Sequence, residues 1–378
     1  MRETDLCDNP TDDAISDHDR WMRAALAFGR RGMGRTAPNP SVAALVVKDG
    51  VVLGRGVTAP GGRPHAEPLA LAQAGTAARG ATLYVTLEPC SHYGRTPPCT
   101  ASIIAAGVST MVYALGDPDA RVAGRGLEQL REAGIAVSGP VAADQARRDH
   151  LGHILRVTQG RPAVTVKMAQ TADGYAAHAT GSGRLLITGA LANAAVHRMR
   201  AQHDAVMVGI GTALADDPLL TVRLPGVAAH PARVILDSHL RLPPDAALVR
   251  SLDRFPLIVV TTTDVDRERR EALETRGVTV LAVSPGPRGL HLGEALRCLG
   301  ERGLTRVFCE GGPRLASELI VDDFADTVTL IEGGGTLDRP GRLALSEEAR
   351  RWLADRAQFR PVGDQPLGAD HLRSFERM

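Results

Sequence analysis

Lysine is nearly missing from this chain: of 44 basic residues only Lys48 and Lys167 are lysine. A coding bias toward Arg, Ala and Gly accounts for the imbalance, and it gives a lone lysine added weight as a chemical group. Aromatic residues are also scarce, at 3%, so a stacking surface for single-stranded nucleic acid is poorly supplied. The formal net charge is only +1, which leaves no basic footprint for a nucleic-acid backbone. No apolar run approaches a membrane span, and the stretch from Met1 to Asp19 is acidic and polar rather than signal-like. Five cysteines in 378 residues are too few for a disulfide framework and suit a reducing compartment, so a cytoplasmic protein is expected. That length is long for one core and suggests two domains, behind a poorly ordered tail over residues 1–18.

What is present is concentrated in one pattern. His65-Ala-Glu67 is followed by Pro89-Cys90 and then by Cys99. Three soft or borderline ligands leave the fourth tetrahedral position of a zinc ion open, which marks a catalytic site rather than a structural one. A carboxylate two residues from the first ligand can carry protons to and from a water at that position. The order H-x-E…P-C is that of the zinc-dependent nucleobase deaminases, in which the Glu is a proton shuttle and not a ligand. Each ligand alone has a plainer explanation, as a solvated or core His or a small buried Cys. It is their joint occurrence in order that points to metal. His92 stands nearby as a fourth ligand if the zinc were structural, iron is not excluded by ligand type, and Cys7 belongs to the tail.

Local patterns place these residues. Trp21, Ala24, Ala25 and Phe28 recur at helical spacing over residues 20–30. Val42 to Val47 and Val51 to Val57, joined by Lys48-Asp49-Gly50, read as a hairpin. A helix is expected from His65 to about Ala74, a buried strand from Thr82 to Leu87, and a helix from Cys99 to Ala106 before Gly107. His65 and Cys99 would then sit at helix N-termini, where the dipole favours thiolate and metal hydroxide.

The interval between the two cysteines holds eight residues, 91–98, where deaminases of polynucleotides and free cytidine usually show Pro-Cys-x-x-Cys. Thr86-Leu87-Glu88-Pro89-Cys90-Ser91-His92-Tyr93-Gly94-Arg95-Thr96-Pro97-Pro98-Cys99 closely resembles the deaminase half of the bifunctional riboflavin-biosynthesis deaminase/reductases. Asn39-Pro40-x-Val42, the Lys48-Asp49-Gly50 hairpin and Val122-Ala123-Gly124-Arg125-Gly126 are similar to that family as well. Zinc would lower the pKa of its water. Glu67 would take the water proton, protonate the ring nitrogen and assist ammonia departure. The resemblance further implies that Asn39, His92, Arg95, Asp117 and Asp119 shape the substrate pocket. Asp119 stands where the family often has Asn, and Ala43 where it usually has Gly.

Gln145 to Leu155 reads as a connecting helix and Gly160-Arg161-Pro162 as a boundary. Beyond it, strand-like runs (163–168, 205–208, 233–236, 257–261, 278–283, 306–309 and 327–331) alternate with helical ones, which indicates a mostly parallel sheet. No complete G-x-G-x-x-G is present; Gly209-Ile210-Gly211 lacks the third glycine. Glu310-Gly311-Gly312-Pro313, between a strand and a helix, can present backbone N–H groups to a phosphate, or can be an ordinary turn.

The second half also resembles that family. The matching stretches are Lys167 to Gly174, Ile187-Thr188, Arg200 to Gln202, Val208 to Thr212, Ala215 to Arg223, Leu236-Asp237-Ser238 and Glu310 to Pro313. This implies a dihydrofolate-reductase-like domain that uses NADPH. Gln170, Leu186, Thr212, Asp216, Ser238, Gly311 and Gly312 would hold the cofactor. Arg184, Arg200, Leu220, Arg223 and Glu310 would hold the phosphorylated substrate, arginines suiting its phosphate. Lys167 and Glu310 would deliver the proton as hydride arrives, or else form a structural salt bridge. The family's Ser-x-Trp-Ile-Thr is here Arg184-Leu185-Leu186-Ile187-Thr188, and its Ala-Pro-Lys stretch is here Leu330 to Gly334.

The expected molecule is therefore an α/β protein of two domains. A cytidine-deaminase-like αβα layer covers 19–147, a connecting helix and linker 148–162, and the reductase-like domain 163–378. The expected activity is zinc-dependent deamination of a diaminopyrimidinone ribosyl phosphate, followed by NADPH-dependent reduction of its ribosyl chain. Self-association to at least a dimer goes with the resemblance. Two rivals remain: a deaminase whose second domain is only a scaffold, and a nucleic-acid deaminase or RNA-binding zinc module, against which charge, aromatics and the cysteine interval all argue.

Overall fold

The computed structural model describes residues 17–94, 97–179, 185–227 and 230–378. Cys7 and most of the expected tail lie outside these residues, as do Arg95 and Arg184. Packing divides the chain into two units: one holds the residues through Arg31 with 42–57 and 64–149, and the other holds 32–41, 58–63 and 150–378. Asn39 thus belongs to the second unit, where its side-chain amide donates to the Gly62 carbonyl at 2.8 Å. Among the described residues no helix is long and apolar enough to cross a membrane.

In the first unit, helix α1 (Asp17–Gly29) precedes strands β1 (Ala43–Lys48) and β2 (Val51–Val57). Asp49 and Gly50, both at positive φ, close the two-residue turn between the strands, as an Asp-Gly pair favours. Helix α2 (Ala66–Ala74), strand β3 (Thr82–Val85), helix α3 (Cys99–Ala106) and strand β4 (Thr110–Tyr113) follow, then α4 (Arg125–Glu132), β5 (Ala136–Ser138) and α5 (Ala143–Asp149). The sheet order is β2-β1-β3-β4-β5, antiparallel around β1 and parallel from β3 onward. Strand alternation explains the layers. Ala44, Val46, Leu83 and Val85 face one core with α2 and α3, whereas Leu45, Val47 and Tyr84 face another with α1. Gly54 and Gly56 let α2 lie directly on β2, for a Cβ at either would come within 2.1 Å of the Ala70 or Ala66 carbonyl oxygen.

The second unit opens with α6 (Leu151–Gln159), β6 (Ala163–Gln170), β7 (Tyr175–His178), α7 (Ala190–Ala201), β8 (Ala205–Gly209), α8 (Ile210–Asp216) and β9 (Ala232–Leu236). It continues through α9 (Ala247–Arg250), β10 (Leu257–Thr262), α10 (Arg267–Glu274), β11 (Thr279–Val283), the small hairpin β12 (Pro285–Gly286) and β13 (Gly289–Leu290), and α11 (Leu292–Glu301). The last elements are β14 (Arg306–Cys309), α12 (Pro313–Val321), β15 (Thr327–Glu332), β16 (Gly341–Leu343), α13 (Glu347–Ala354), β17 (Phe359–Leu367) and β18 (Asp370–Arg377). Nine strands form one sheet in the order β11-β10-β9-β8-β14-β6-β15-β18-β17, parallel except where β18 and β17 join. The seven strand-like runs of the sequence are the seven parallel strands. They are legible because most of their residues are buried and the runs are dominated by apolar, largely β-branched residues. The single connecting helix expected over 145–155 is instead two, α5 and α6, with His150 between them at φ −97°, ψ 7°. The hairpin β17–β18 has no apolar run to announce it in the sequence: β17 exposes seven consecutive residues and carries Pro361 and Pro366.

Candidate metal centre and reductive cleft

The metal cluster is assembled where two helix starts meet the segment that follows the central strand of the first sheet. His65 is the N-cap of α2, Cys90 follows the exit of β3, and Cys99 is the first residue of α3 behind Pro98. His65 Nδ1 lies 3.7 Å from Cys90 Sγ and 3.3 Å from Cys99 Sγ. Ligand bond lengths for zinc imply an N···S edge of about 3.5 Å in a tetrahedron, so the donors are spaced for it. The backbone N–H of Cys99 donates to Cys90 Sγ at 3.4 Å, a contact that orients the sulfur and favours thiolate. Among the described residues these three form the one cluster of metal-ligating side chains. His92 is not in it, and its buried Nδ1 finds no hydrogen-bond partner among the described residues.

Glu67 stands in the first turn of α2 and is 3% exposed. Burial pushes its carboxyl above the usual range, against the hydrogen bond from its own backbone and the nearby His65. Between the two thiols the proton is unevenly shared: the hydrogen bond from Cys99 holds Cys90 down, at about 4, and the same contact together with burial pushes Cys99 up. Zinc removes this asymmetry, because a coordinating thiol is deprotonated outright.

Of the residues implied for the substrate pocket, Asp117 and Asp119 sit on the loop between β4 and α4. Asp117 Oδ1 accepts from the Asp119 N–H at 2.9 Å, and the Asp119 carboxylate is engaged by Arg121 through Nε at 3.0 Å and through Nη2. Asn39 packs with the other unit, as described above.

The second unit carries a cavity of about 1450 Å³ along the carboxyl ends of its parallel strands. Lys167, Arg200, Thr212, Asp216, Leu220, Arg223, Ser238, Glu310, Gly311 and Gly312 all line it. Gln170 and Leu186 do not: Gln170 donates to Glu332 at 3.2 Å, and Leu186 is 86% exposed while its neighbours Leu185 and Ile187 reach the wall. Arg200 holds Glu310 with Nε on one oxygen and Nη2 on the other at 3.0 Å, and its Nη1 donates to the Thr221 carbonyl at 2.8 Å. Leu220 takes φ +54°, a left-handed conformation rare for Leu and costing on the order of 1 kcal/mol, as functional loops often do. Gly312 caps α12, with Pro313 in its first turn. A Cβ at Gly312 would stand 3.5 Å from Thr212 Oγ1, so the first turn of α8 and the N-cap of α12 bracket a small backbone cradle, which suits a pyrophosphate. The cavity residues therefore fit a dinucleotide. Sequence reasoning missed His239, Arg241, Arg288, Arg314 and Arg342 on its wall. In a chain that uses arginine for almost every positive charge, those positions carry no distinguishing signal.

The comparisons with known proteins agree with this geometry. Residues 162–337 match the family model described as the RibD C-terminal domain, and residues 15–115 match the cytidine and deoxycytidylate deaminase zinc-binding region. The riboflavin biosynthesis protein RibD of Aquifex aeolicus is 38% identical over 357 residues, 94% of this chain and 98% of that protein. The protein of the same name from Escherichia coli is 35% identical over 362 residues, covering 93% and 96%. Among solved structures, Acinetobacter baumannii RibD superposes with a TM-score of 0.83 at 34% identity, covering 96% of this chain and 99% of that one. A Thermotoga maritima diaminohydroxyphosphoribosylaminopyrimidine deaminase/5-amino-6-(5-phosphoribosylamino)uracil reductase gives 0.81 at 32%, with the same coverage.

Proposed function

The chain belongs to the RibD family of bifunctional riboflavin-biosynthesis deaminase/reductases, and from that membership we propose how its own residues divide the two reactions. The observation that carries the reading is the His65, Cys90 and Cys99 cluster with the buried Glu67 two residues from its histidine. A zinc ion held there supplies Lewis acidity and an activated water at its open position. Glu67 accepts a proton from the water that attacks the amino-bearing carbon of the pyrimidinone, then passes it to the ring nitrogen. A C–O bond forms; Glu67 then takes the second proton of the water from the added hydroxyl and delivers it to the amine, so that the C–N bond breaks, ammonia leaves and a carbonyl remains. A carboxyl raised by burial is suited to both directions of transfer. His92, Asp117 and Asp119 are assigned to the substrate of this centre, and Asn39 and Arg95 are assigned to it by the family resemblance alone.

In the second unit, bound NADPH supplies the hydride that reduces the ribosyl chain to ribityl. Gly311, Gly312 and Thr212 would hold its pyrophosphate, and Asp216 at the end of α8 and Ser238 just after β9 would hold the rest of it. Gln170 and Leu186 are held at the margin of this assignment. Arg200 and Arg223 are assigned to the substrate phosphate, with Leu220 on the same wall; Arg184 is assigned to the substrate by the family resemblance alone. Both oxygens of Glu310 are taken by Arg200, which supports Lys167 as the proton source and Glu310 as the anchor of Arg200. A cavity and cradle of this kind favour an active reductase over a scaffold, even with Leu186 in place of tryptophan. The enzyme acts on small phosphorylated pyrimidines, in the cytoplasm and as at least a dimer, without nucleic acid; sedimentation of the purified protein tests the assembly.

The test is a mass-resolved product assay with the diaminopyrimidinone nucleotide and NADPH. Wild type is expected to exchange amine for oxygen and to gain two hydrogens. Glu67→Gln is expected to retain zinc and release no ammonia, and Lys167→Ala to bind NADPH and stop at the deaminated product. Ammonia release by Glu67→Gln at the wild-type rate removes Glu67 from the proton path.

A further inference from the structure

The strand that delivers Cys90 also delivers a carboxylate that takes no part in the chemistry assigned above. Glu88 lies two residues before Cys90 and is 5% exposed. Its side chain turns away from the cluster into the loop between β4 and α4. Oε2 accepts from the backbone N–H of Asp117 at 3.3 Å and of Gly124 at 3.1 Å, and Oε1 accepts from the N–H of Gly126 at 3.2 Å. Gly124 is the N-cap of α4 at φ +84°, and Gly126 is in its first turn. One buried carboxylate therefore gathers both ends of the 117–126 loop and satisfies two of the orphan donors at the start of α4, where a negative charge is favoured. A second observation joins the same two segments. A Cβ on Gly126 would lie 2.2 Å from the Pro89 carbonyl oxygen, so the first turn of α4 rests against the residue preceding Cys90. The backbone adds a third tie, from the Glu88 N–H to the Leu115 carbonyl at 2.9 Å.

We propose that Glu88 is a positioning residue for deamination: it holds the loop bearing Asp117 and Asp119 in fixed register with the turn bearing Cys90. It acts on substrate affinity, not on zinc binding or on proton transfer. The reason is directional. Zinc is held by His65, Cys90 and Cys99, whose placement rests on α2, β3 and α3, whereas the 117–126 loop has few internal ties. They include the Asp117 and Asp119 side-chain turns, the Arg121 guanidinium on the Asp119 carboxylate, and backbone bonds from Val122 and Ala123 to the Asp119 carbonyl and from Arg125 to the Val122 carbonyl, all of them short-range. Gln cannot replace Glu here without cost. Its oxygen can accept from one side, but its NH2 then faces a backbone N–H, donor against donor. This inference rests on the deaminase reading and on the assignment of Asp117 and Asp119 to the substrate.

The experiment uses the full-length zinc-loaded enzyme. Wild type, Glu88→Gln and Glu88→Ala are compared for bound zinc, for kcat and KM of ammonia release, and for amide hydrogen exchange over 115–127. The expected result for Glu88→Gln is an undiminished zinc content, a KM raised about tenfold or more, and a kcat changed by less than about threefold. Gly124 and Gly126 amides protected in wild type become fast-exchanging in the variant. An unchanged KM overturns the proposal, as does a joint loss of zinc and kcat. Should both variants fail to fold, rapid exchange at Gly124 and Gly126 in wild type overturns it by itself. Failure of the underlying reading shows separately, as wild-type protein that binds zinc but releases no ammonia.

Discussion

Removal of Arg200 is the perturbation whose cost can be worked out most fully. Its guanidinium donates to both oxygens of Glu310 and to the Thr221 carbonyl, and the two side chains are 12% and 11% exposed. At a charge separation of about 4 Å and an effective dielectric of about 20, the attraction is about 4 kcal/mol. Desolvation of both ions cancels much of that, so the intact pair contributes little net stability. Loss of one member strands the other charge, and Arg200→Ala is expected to destabilise the reductase unit by about 3 kcal/mol. The double variant Arg200→Ala/Glu310→Gln leaves no stranded charge. It should fall short of the sum of the single costs by about 2 kcal/mol. Both residues line the cavity, so Arg200→Ala should also raise the reductase KM for the phosphorylated substrate while ammonia release is unchanged. Calorimetry of Arg200→Ala, Glu310→Gln and their double variant gives the coupling, and product masses separate the two activities. Additive costs, or a reductase KM that stays at the wild-type value in Arg200→Ala, would refute the argument.

Three further outcomes are expected. His203 is buried, donates from Nδ1 to the Met199 carbonyl and meets Thr165 Oγ1 at Nε2, and burial holds its pKa down to about 3 from an ordinary 6.5. The unfolded chain binds a proton that the folded one refuses between those values. Stability is therefore full above about pH 6.5 and falls toward pH 3 by up to about 1.4 kcal/mol per unit. In His203→Gln, melting temperature followed against pH should lose that part of the slope. Gly56→Val drives side-chain atoms into the Ala66 carbonyl, so α2 must shift with His65 and Glu67. Zinc affinity measured by chelator competition should fall by about tenfold or more, and a wild-type affinity would show that the helix has room to adjust. Gly312→Ala meets only an ordinary 3.5 Å contact within the protein but fills the proposed cradle. Folding should be intact while NADPH affinity by fluorescence titration falls about tenfold, on the order of 1.4 kcal/mol, and unaltered binding would place the pyrophosphate elsewhere.

Local chemistry is what the amino-acid sequence by itself determined here. The Asp49-Gly50 turn, the helix starts at His65 and Cys99, and the largely apolar strands of the second unit follow from φ preference, capping and burial, all of which act over a few residues. The ligand triad belongs with them, because a tetrahedral site tolerates only certain donor types and the order of those donors is itself distinctive. Only the tertiary structure decided what depends on a partner distant in the chain. Arg200 and Glu310 are 110 residues apart, and nothing local announces that they form a bidentate pair. The carboxylate of Glu88 is captured by backbone amides 29 to 38 residues later, and a backbone amide has no residue-type signature. The arginines of the cavity wall stayed hidden for a related reason. In a chain that carries its positive charge almost wholly as arginine, composition cannot separate a wall residue from a solvated one, and only the folding of strand ends around a common cleft does.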